Sequence, residues 1–223
     1  NQCKILWINY PHMTTGKVAD HKTFKKLVSW TKYRNVLLVN DNPYSLILND
    51  HPKSILSFLN DYKDIIELNS LSKSHNMAGW RVGSLCGTAE NINHVLKVKS
   101  NFDSGMFKPV QLAASKALKL DKSWYNNLNI EYRREIIWKI LDLFHSEYKK
   151  DTAGLFVWAK IPTNFKSSQE FSDYLLTEVR IFAAPGHVFG SNGKNHVRFS
   201  LCANVDKLNQ AYNRVKPLNE KMK

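Results

Sequence analysis

The feature that most constrains this chain is a series of short, largely apolar runs, each leading into a stretch of helical periodicity. The runs are residues 3–9 (Cys-Lys-Ile-Leu-Trp-Ile-Asn), Val36-Leu37-Leu38-Val39, Ile65-Ile66-Glu67-Leu68 and Val82-Gly83-Ser84-Leu85-Cys86-Gly87. A strand with one wet face alternates apolar and polar residues, whereas a short continuous apolar run suits a strand covered on both faces. Over 20–33, Phe24, Leu27, Val28 and Tyr33 recur at helical spacing, and further helices are expected near 88–99 and 109–120. Alternating strands and helices predict an α/β unit built on a mostly parallel sheet flanked by helices. In such sheets ligands sit beyond the carboxyl ends of the strands. Asn9, Asp41 and the segment Ser70 to Lys73 all fall just past strand ends.

The pattern changes after about residue 120. Residues 131–149 predict a long amphipathic helix with Ile136, Ile137, Ile140, Leu141, Phe144 and Tyr148 on one stripe. A strand over 154–161, a helix near 168–178, strands over 179–184 and 196–201 and a closing helix near 205–215 follow. This order predicts a small α+β domain, so the expected organisation is a large-domain portion over 1–120 and a small domain over 121–223. No internal repeat or low-complexity segment interrupts either part.

Composition limits the function classes. With 223 residues, 43% of them hydrophobic and 23% charged, the chain is ordinary globular material with enough apolar side chain for a core. The formal charge of +13 comes from 32 basic residues spread along the chain rather than massed in a tail. That distribution suits an enzyme binding phosphate and carboxylate groups better than a nucleic-acid binder. No apolar run reaches the roughly 18 residues of a membrane span, and the first residues lack the order of a signal peptide. Cys3, Cys86 and Cys202 are an odd, widely spaced set in apolar stretches, expected as reduced core residues of a cytoplasmic protein. The eight histidines include no HExxH pair, so no metal site is expected.

The most informative segment is Ser70-Leu-Ser-Lys-Ser-His-Asn-Met-Ala-Gly-Trp-Arg-Val-Gly83, with the form S-x-S-K, an arginine eight residues after the lysine and a glycine two beyond it. Asp41-Asn-Pro-Tyr44 precedes it, and Gly154-Leu-Phe-Val-Trp158, Ala184-Pro-Gly-His-Val-Phe-Gly190 and Val197-Arg198-Phe-Ser-Leu201 follow in order. Together these motifs resemble the class I/II aminotransferases, the fold-type-I enzymes dependent on pyridoxal 5′-phosphate (PLP), over essentially the whole chain. By that resemblance Lys73 carries PLP as a Schiff base and later moves a proton from the substrate Cα. Asp41 pairs with the pyridine nitrogen and Tyr44 hydrogen-bonds the 3′-oxygen. Ser70 and Arg81 hold the phosphate, with Ser72 a lesser candidate, and Arg198 grips the substrate α-carboxylate as a bidentate pair. Gly186 and Gly190 are expected to let backbone approach the site. His75 and His187 are expected to be satisfied loop residues.

One motif departs from the pattern. Asn9-Tyr-Pro-His-Met-Thr-Thr-Gly16 aligns with the family's N-Y-P-x-N-P-T-G, so Met13 stands where the family has the asparagine that contacts the 3′-oxygen. A thioether cannot donate that hydrogen bond. The resemblance does not extend to the family's N-terminal portion, so the chain is expected to be a C-terminal fragment of a longer polypeptide. It implies an aminotransferase acting on an amino acid and a 2-oxo acid, as a homodimer in the full-length protein. A carbon–sulfur β-lyase of the same family, and a non-catalytic PLP-sensing module of a transcription regulator, share these motifs and stay open on sequence alone.

Overall fold

A computed structural model describes residues 3–58, 63–121, 124 and 129–221. The chain divides into two compact units, one of residues 1–11 and 18–125, the other of residues 12–17 and 126–223.

The first unit is organised on a four-stranded sheet in the order β1 (Ile5–Asn9), β2 (Leu37–Asp41), β3 (Ile65–Ser70), β4 (Gly83–Cys86). The first three strands are parallel and β4 is antiparallel to β3. Helix α1 (His21–Arg34) forms the crossover between β1 and β2. It starts where the Asp20 carboxylate accepts the Thr23 N–H at 2.7 Å, and stops at Asn35 in the left-handed region, φ 53°. Phe24 of α1 packs with Ala19, Leu38, Ile55 and Ile65, and Leu6, Ile8 and Leu27 join this cluster. Leu38 and Asn40 of central β2 are fully buried.

The edge strands differ from the expectation of cover on both faces. Ile5 and Trp7 of β1 are exposed, Trp7 to 59%, while alternate residues Leu6 and Ile8 pack inward. Side chains of a strand point to opposite faces in turn, so an all-apolar run is buried on both sides only where both sides are covered. The helices α3 (Ala89–Phe102) and α4 (Lys108–Ala117) also bury little in this unit: none of the residues of α3, and only Ala114 of α4. Between β3 and β4 lies a one-turn helix, α2 (Leu71–Ser74).

The second unit packs helix α5 (Ile130–Leu143), α6 (Ser168–Val179) and α7 (Val205–Lys221) with an antiparallel sheet in the order β5 (Phe156–Lys160), β7 (His196–Ser200), β6 (Ala184–Pro185). Ile136, Ile137, Ile140 and Leu141 of α5 and Val157, Ala159, Val197 and Phe199 of the sheet form the core. Two expected boundaries shift. Helix α5 ends at Leu143, and His145 turns left-handed at φ 54°, so Tyr148 leaves the stripe. It instead bridges to Ala159, stacks on Trp138 at 5.8 Å and donates its hydroxyl to Asp142 at 2.8 Å. Burial and the neighbouring Asp142 carboxylate push the Tyr148 phenol well above its usual range. The expected strand over 179–184 is reduced to two residues, because α6 runs through Val179 and closes on Arg180, φ 53°, whose N–H reaches Leu175 O.

The cysteines are a further correction. Cys3, Cys86 and Cys202 are free thiols, but all three are exposed rather than in the core. Cys3 precedes an edge strand, Cys86 ends one and Cys202 follows β7, so their apolar neighbours do not enclose them. Among the described residues no helix is long and apolar enough to cross a membrane, and no group of three or more His, Cys, Asp or Glu is placed to hold a metal ion.

Candidate functional site

Parallel strands bring their carboxyl ends to one side of the sheet, and here those ends are polar. In register, Asn9 pairs with Asp41 and Asp41 with Leu68, while Ser70 lies opposite Gly83 at the start of β4. Asp41, the Ser70–Lys73 segment and the backbone flanking Arg81 therefore share one end of the sheet.

Amide side chains cross-link these ends. Asn9 Nδ2 donates to Asp41 O at 2.6 Å, and Asn69 Nδ2 donates to Asn42 O at 2.9 Å. Beneath them, fully buried Asn40 accepts the Tyr10 N–H at 3.1 Å through Oδ1 and donates to Glu67 at 3.0 Å. Glu67, also buried, accepts the Ile55 N–H at 2.9 Å with the same oxygen, Oε2. A buried carboxylate is costly unless hydrogen-bonded, and this one joins β2, β3 and the turn at Ile55. Each strand end is thus held by a specific donor–acceptor pair rather than by packing alone.

On that frame the sequence-predicted residues fall as follows. Asp41 is the last residue of β2 and half-buried; burial raises its carboxyl above the usual range. No side chain among the described residues pairs with this carboxylate. Tyr44 is buried, three residues on, in a turn closed by Ile47 N–H to Tyr44 O at 3.1 Å. Ser70 ends β3 and caps α2: its Oγ accepts the Ser72 N–H at 3.1 Å and donates to Val82 O at 3.3 Å. Ser72 is half-buried, and Lys73, in the last turn of α2, is exposed. Arg81 is exposed, left-handed at φ 54°, and donates to Ala78 O at 3.0 Å. His75, expected as a satisfied loop residue, is buried and bonded to Ser74 Oγ at 2.8 Å; burial lowers its pKa, outweighing a backbone hydrogen bond at Ala117.

An acid raised by burial, a primary amine, a hydroxyl and a guanidinium make a donor set that fits PLP. The half-buried carboxylate suits a protonated ring nitrogen, and the cations suit a phosphate.

Met13 lies in the 12–17 loop of the second unit and is 43% exposed. The loop is closed by Gly16 N–H to His12 O at 2.8 Å and by Thr15 N–H to His12 Nδ1 at 3.2 Å. Since Nδ1 accepts, the neutral ring carries its proton on Nε2. Burial lowers the His12 pKa, which favours that neutral form.

Arg198 is in the middle of β7, opposite Trp158 of β5. Alternation places Val157, Ala159, Val197 and Phe199 on the core face, and Phe156, Trp158, His196 and Arg198 on the other. The Arg198 guanidinium carbon stands 4.0 Å from the Phe156 ring centroid and 4.1 Å from that of Phe189. Trp158 meets Phe189 edge-on at 6.0 Å and stacks on His196 at 5.1 Å. Burial lowers the His196 pKa, helped by the charge of Lys160. Phe189 ends the turn Gly186–Phe189, which abuts the turn Ser191–Gly193 so closely that a Cβ on Gly186 or Gly193 would strike the other's backbone. Gly190 is needed for conformation instead, at φ 122° with open space around it. His187 bonds Ser168 Oγ at 3.2 Å. Glu67, Asn40, Phe156 and Phe189 were not singled out by sequence. A polar residue inside an apolar strand, and the period-two face shared with Arg198, were the available signals.

Comparison with known proteins adds an independent line. A family model described as aminotransferase class I and II matches residues 1–215. An LL-diaminopimelate aminotransferase of Maridesulfovibrio salexigens is 36% identical over 223 residues, covering 98% of this chain and 57% of that protein. Transaminase BacF of Bacillus subtilis is 34% identical, covering 98% of this chain and 56% of that protein. The apo structure of BacF superposes with a TM-score of 0.87, over 97% of this chain and 59% of that one. An aromatic aminotransferase from Pyrococcus horikoshii, 27% identical, superposes with a TM-score of 0.86 over 98% of this chain and 60% of its own. The chain therefore spans a little over half the length of the curated relatives it matches.

Proposed function

Starting from the fact that the chain belongs to the class I and II aminotransferase family, we propose that the protein transfers an amino group between an amino acid and a 2-oxo acid with PLP as cofactor. The observation that carries this reading is the gathering of Asp41, the Ser70–Lys73 segment and the Arg81 backbone at one end of the sheet, on strand ends held by Asn9, Asn40, Asn69 and Glu67.

When bound, PLP supplies an electron sink for the negative charge left at the substrate Cα. The residues do the rest. The Asp41 carboxylate holds a proton on the ring nitrogen; its partial burial, unfavourable alone, is relieved by a cation at that place. Tyr44 donates its hydroxyl to the 3′-oxygen. Arg81 and Ser70, with Ser72 beside them, fix the phosphate by charge-assisted hydrogen bonds. Lys73 Nζ would hold the cofactor covalently and, as a free amine, would serve as the base that takes the proton from the substrate Cα and gives it back. Arg198 binds the α-carboxylate. With Met13 in the asparagine position, the 3′-oxygen relies on Tyr44 among the residues matched to the motif.

The relatives are named as aminotransferases or transaminases, so neither the lyase nor the regulator reading gains an observation. The free, exposed thiols suit a reducing, cytoplasmic compartment, and a homodimer is the assembly that the resemblance implies. The test is an amino-donor screen on the full-length gene product with PLP, using 2-oxoglutarate as acceptor. Amino transfer that requires the 2-oxo acid supports the reading; release of ammonia and pyruvate without it overturns it.

A further inference from the structure

Arg133 donates to Leu201 O at 3.2 Å, Arg134 to Thr152 O at 2.9 Å and Arg214 to Val179 O at 2.7 Å, so these three tie backbone segments together. Arg198 differs in having two phenyl rings near 4 Å from its guanidinium carbon. We propose that Phe156 and Phe189 are positioning residues that clamp the guanidinium of Arg198 and fix the plane in which it receives the substrate α-carboxylate. The proposal rests on the assignment of Arg198 made above.

The physical argument starts from the side chain. An arginine has four rotatable bonds and loses much rotamer freedom whenever its head is fixed. Its N–H groups all lie in the guanidinium plane, while its π-faces lie above and below. Two ring centroids at 4.0 and 4.1 Å from one carbon restrict the guanidinium from two sides of its surroundings, one on β5 and one on the turn, and a phenyl ring offers no oxygen or nitrogen acceptor to compete with a carboxylate for its N–H groups. A carboxylate is recognised by two parallel N–H···O bonds, which need that plane to be set before the ligand arrives.

The rings are themselves placed by different means. Phe156 stands on β5, two residues before Trp158, the residue opposite Arg198. Phe189 is carried by the turn whose position depends on the Gly186–Gly193 contact, and Trp158 abuts it edge-on. The clamp thus joins a strand and a turn around one side chain. Phe156 is half-buried and Phe189 is 37% exposed, so neither ring is a core element whose loss would unfold the unit.

The experiment uses the full-length, PLP-loaded gene product and four variants: Phe156→Leu, Phe189→Leu, Arg198→Gln, and Phe189→Leu combined with Arg198→Gln. Two quantities are measured: steady-state constants for an amino-acid donor, and the dissociation constant of a 2-methyl amino acid, which has no Cα proton to lose. Each phenylalanine variant should raise KM and that dissociation constant about three- to tenfold, with kcat changed less than about twofold. Reaction with the corresponding amine lacking the carboxylate should not change. In the Arg198→Gln background, Phe189→Leu should add nothing, since the ring acts through the arginine. An equal effect in both backgrounds, or on the amine, would mean a general structural role and overturn the clamp. Unchanged constants in both phenylalanine variants, with a large rise in Arg198→Gln, would also overturn it while leaving the Arg198 assignment intact. Unchanged constants in Arg198→Gln would overturn that assignment itself.

Discussion

The strand ends of the first unit and the outer face of the small sheet in the second hold their candidate functional side chains by opposite physics. Around Asp41 the work is done by directional hydrogen bonds between amides, a buried carboxylate and backbone, spanning β1, β2, β3 and the Ile55 turn. Around Arg198 it is done by aromatic rings, with Phe156 and Phe189 against the guanidinium and Trp158 edge-on to Phe189. A hydrogen-bonded frame fixes positions to tenths of an ångström but fails sharply when one partner is removed. An aromatic surround gives up only about 0.5–2 kcal/mol with each ring removed. The first suits groups that would hold a fixed relation to a rigid ring, and the second a group whose plane would be set to receive a carboxylate.

The largest effect expected is at Lys73. Lys73→Ala should abolish covalent attachment of PLP and lower turnover by roughly 10²–10⁴-fold from the proton-transfer role alone. The exposed position of the side chain should leave the folded state intact by circular dichroism. Activity retained in this variant would break the first half of the comparison.

Glu67 tests the sharp failure. Glu67→Leu leaves the Asn40 amide and the Ile55 N–H without their acceptor, at a cost of about 3 kcal/mol in denaturant unfolding of the first unit. Glu67→Gln keeps an acceptor oxygen and should cost clearly less. Equal stability of the leucine variant and the parent would show that the frame is packing after all.

Histidines supply a pH test. Burial lowers the pKa of His12, His75 and His196. A histidine kept neutral in the folded state binds fewer protons than it does unfolded, so stability is lost as pH falls below the unfolded value of 6.5. The urea midpoint should drop between neutral pH and mildly acid pH, and His12→Asn should flatten the slope. A midpoint that rises on acidification would contradict the burial of these rings.

Asp41 gives the smallest effect and the subtlest. Its carboxyl is raised by burial, so ionising it is harder in the folded chain than in the unfolded one. That penalty is present as pH rises through and above the ordinary carboxylate range. Asp41→Asn should therefore leave the cofactor-free protein slightly more stable at neutral pH while weakening PLP binding. A fall in the melting midpoint would show that Asp41 has a structural partner.

Much of this was legible in the sequence, and the failures are specific. The apolar runs Val36–Val39 and Ile65–Leu68 fall on β2 and β3, because continuous apolar strands leave few alternatives, but both strands run two residues further, to Asp41 and Ser70, through polar residues that sequence placed beyond the strand ends. The family motifs were visible because each lies within a few residues of chain. Tyr148 was misplaced because the stop at His145 is a left-handed non-glycine residue, which carries no local signal. The strand expected over 179–184 shrank for the same reason at Arg180. The cysteines misled because apolar neighbours in sequence are not cover in space: Cys86 sits on an edge strand. The aromatic surround of Arg198 was out of reach, since Phe156, Phe189 and Arg198 come from three segments that only the sheet register and the paired glycine turns bring together.

The central claim is that Lys73 is the residue that carries the cofactor, and borohydride reduction tests it directly. The full-length gene product is incubated with PLP, reduced with sodium borohydride, digested and mapped by mass spectrometry. The expected result is a single phosphopyridoxyl lysine at position 73, absent when an excess of amino-acid substrate is added before reduction. A label at another lysine with Lys73 unmodified, or no label in a protein that binds PLP, would contradict it.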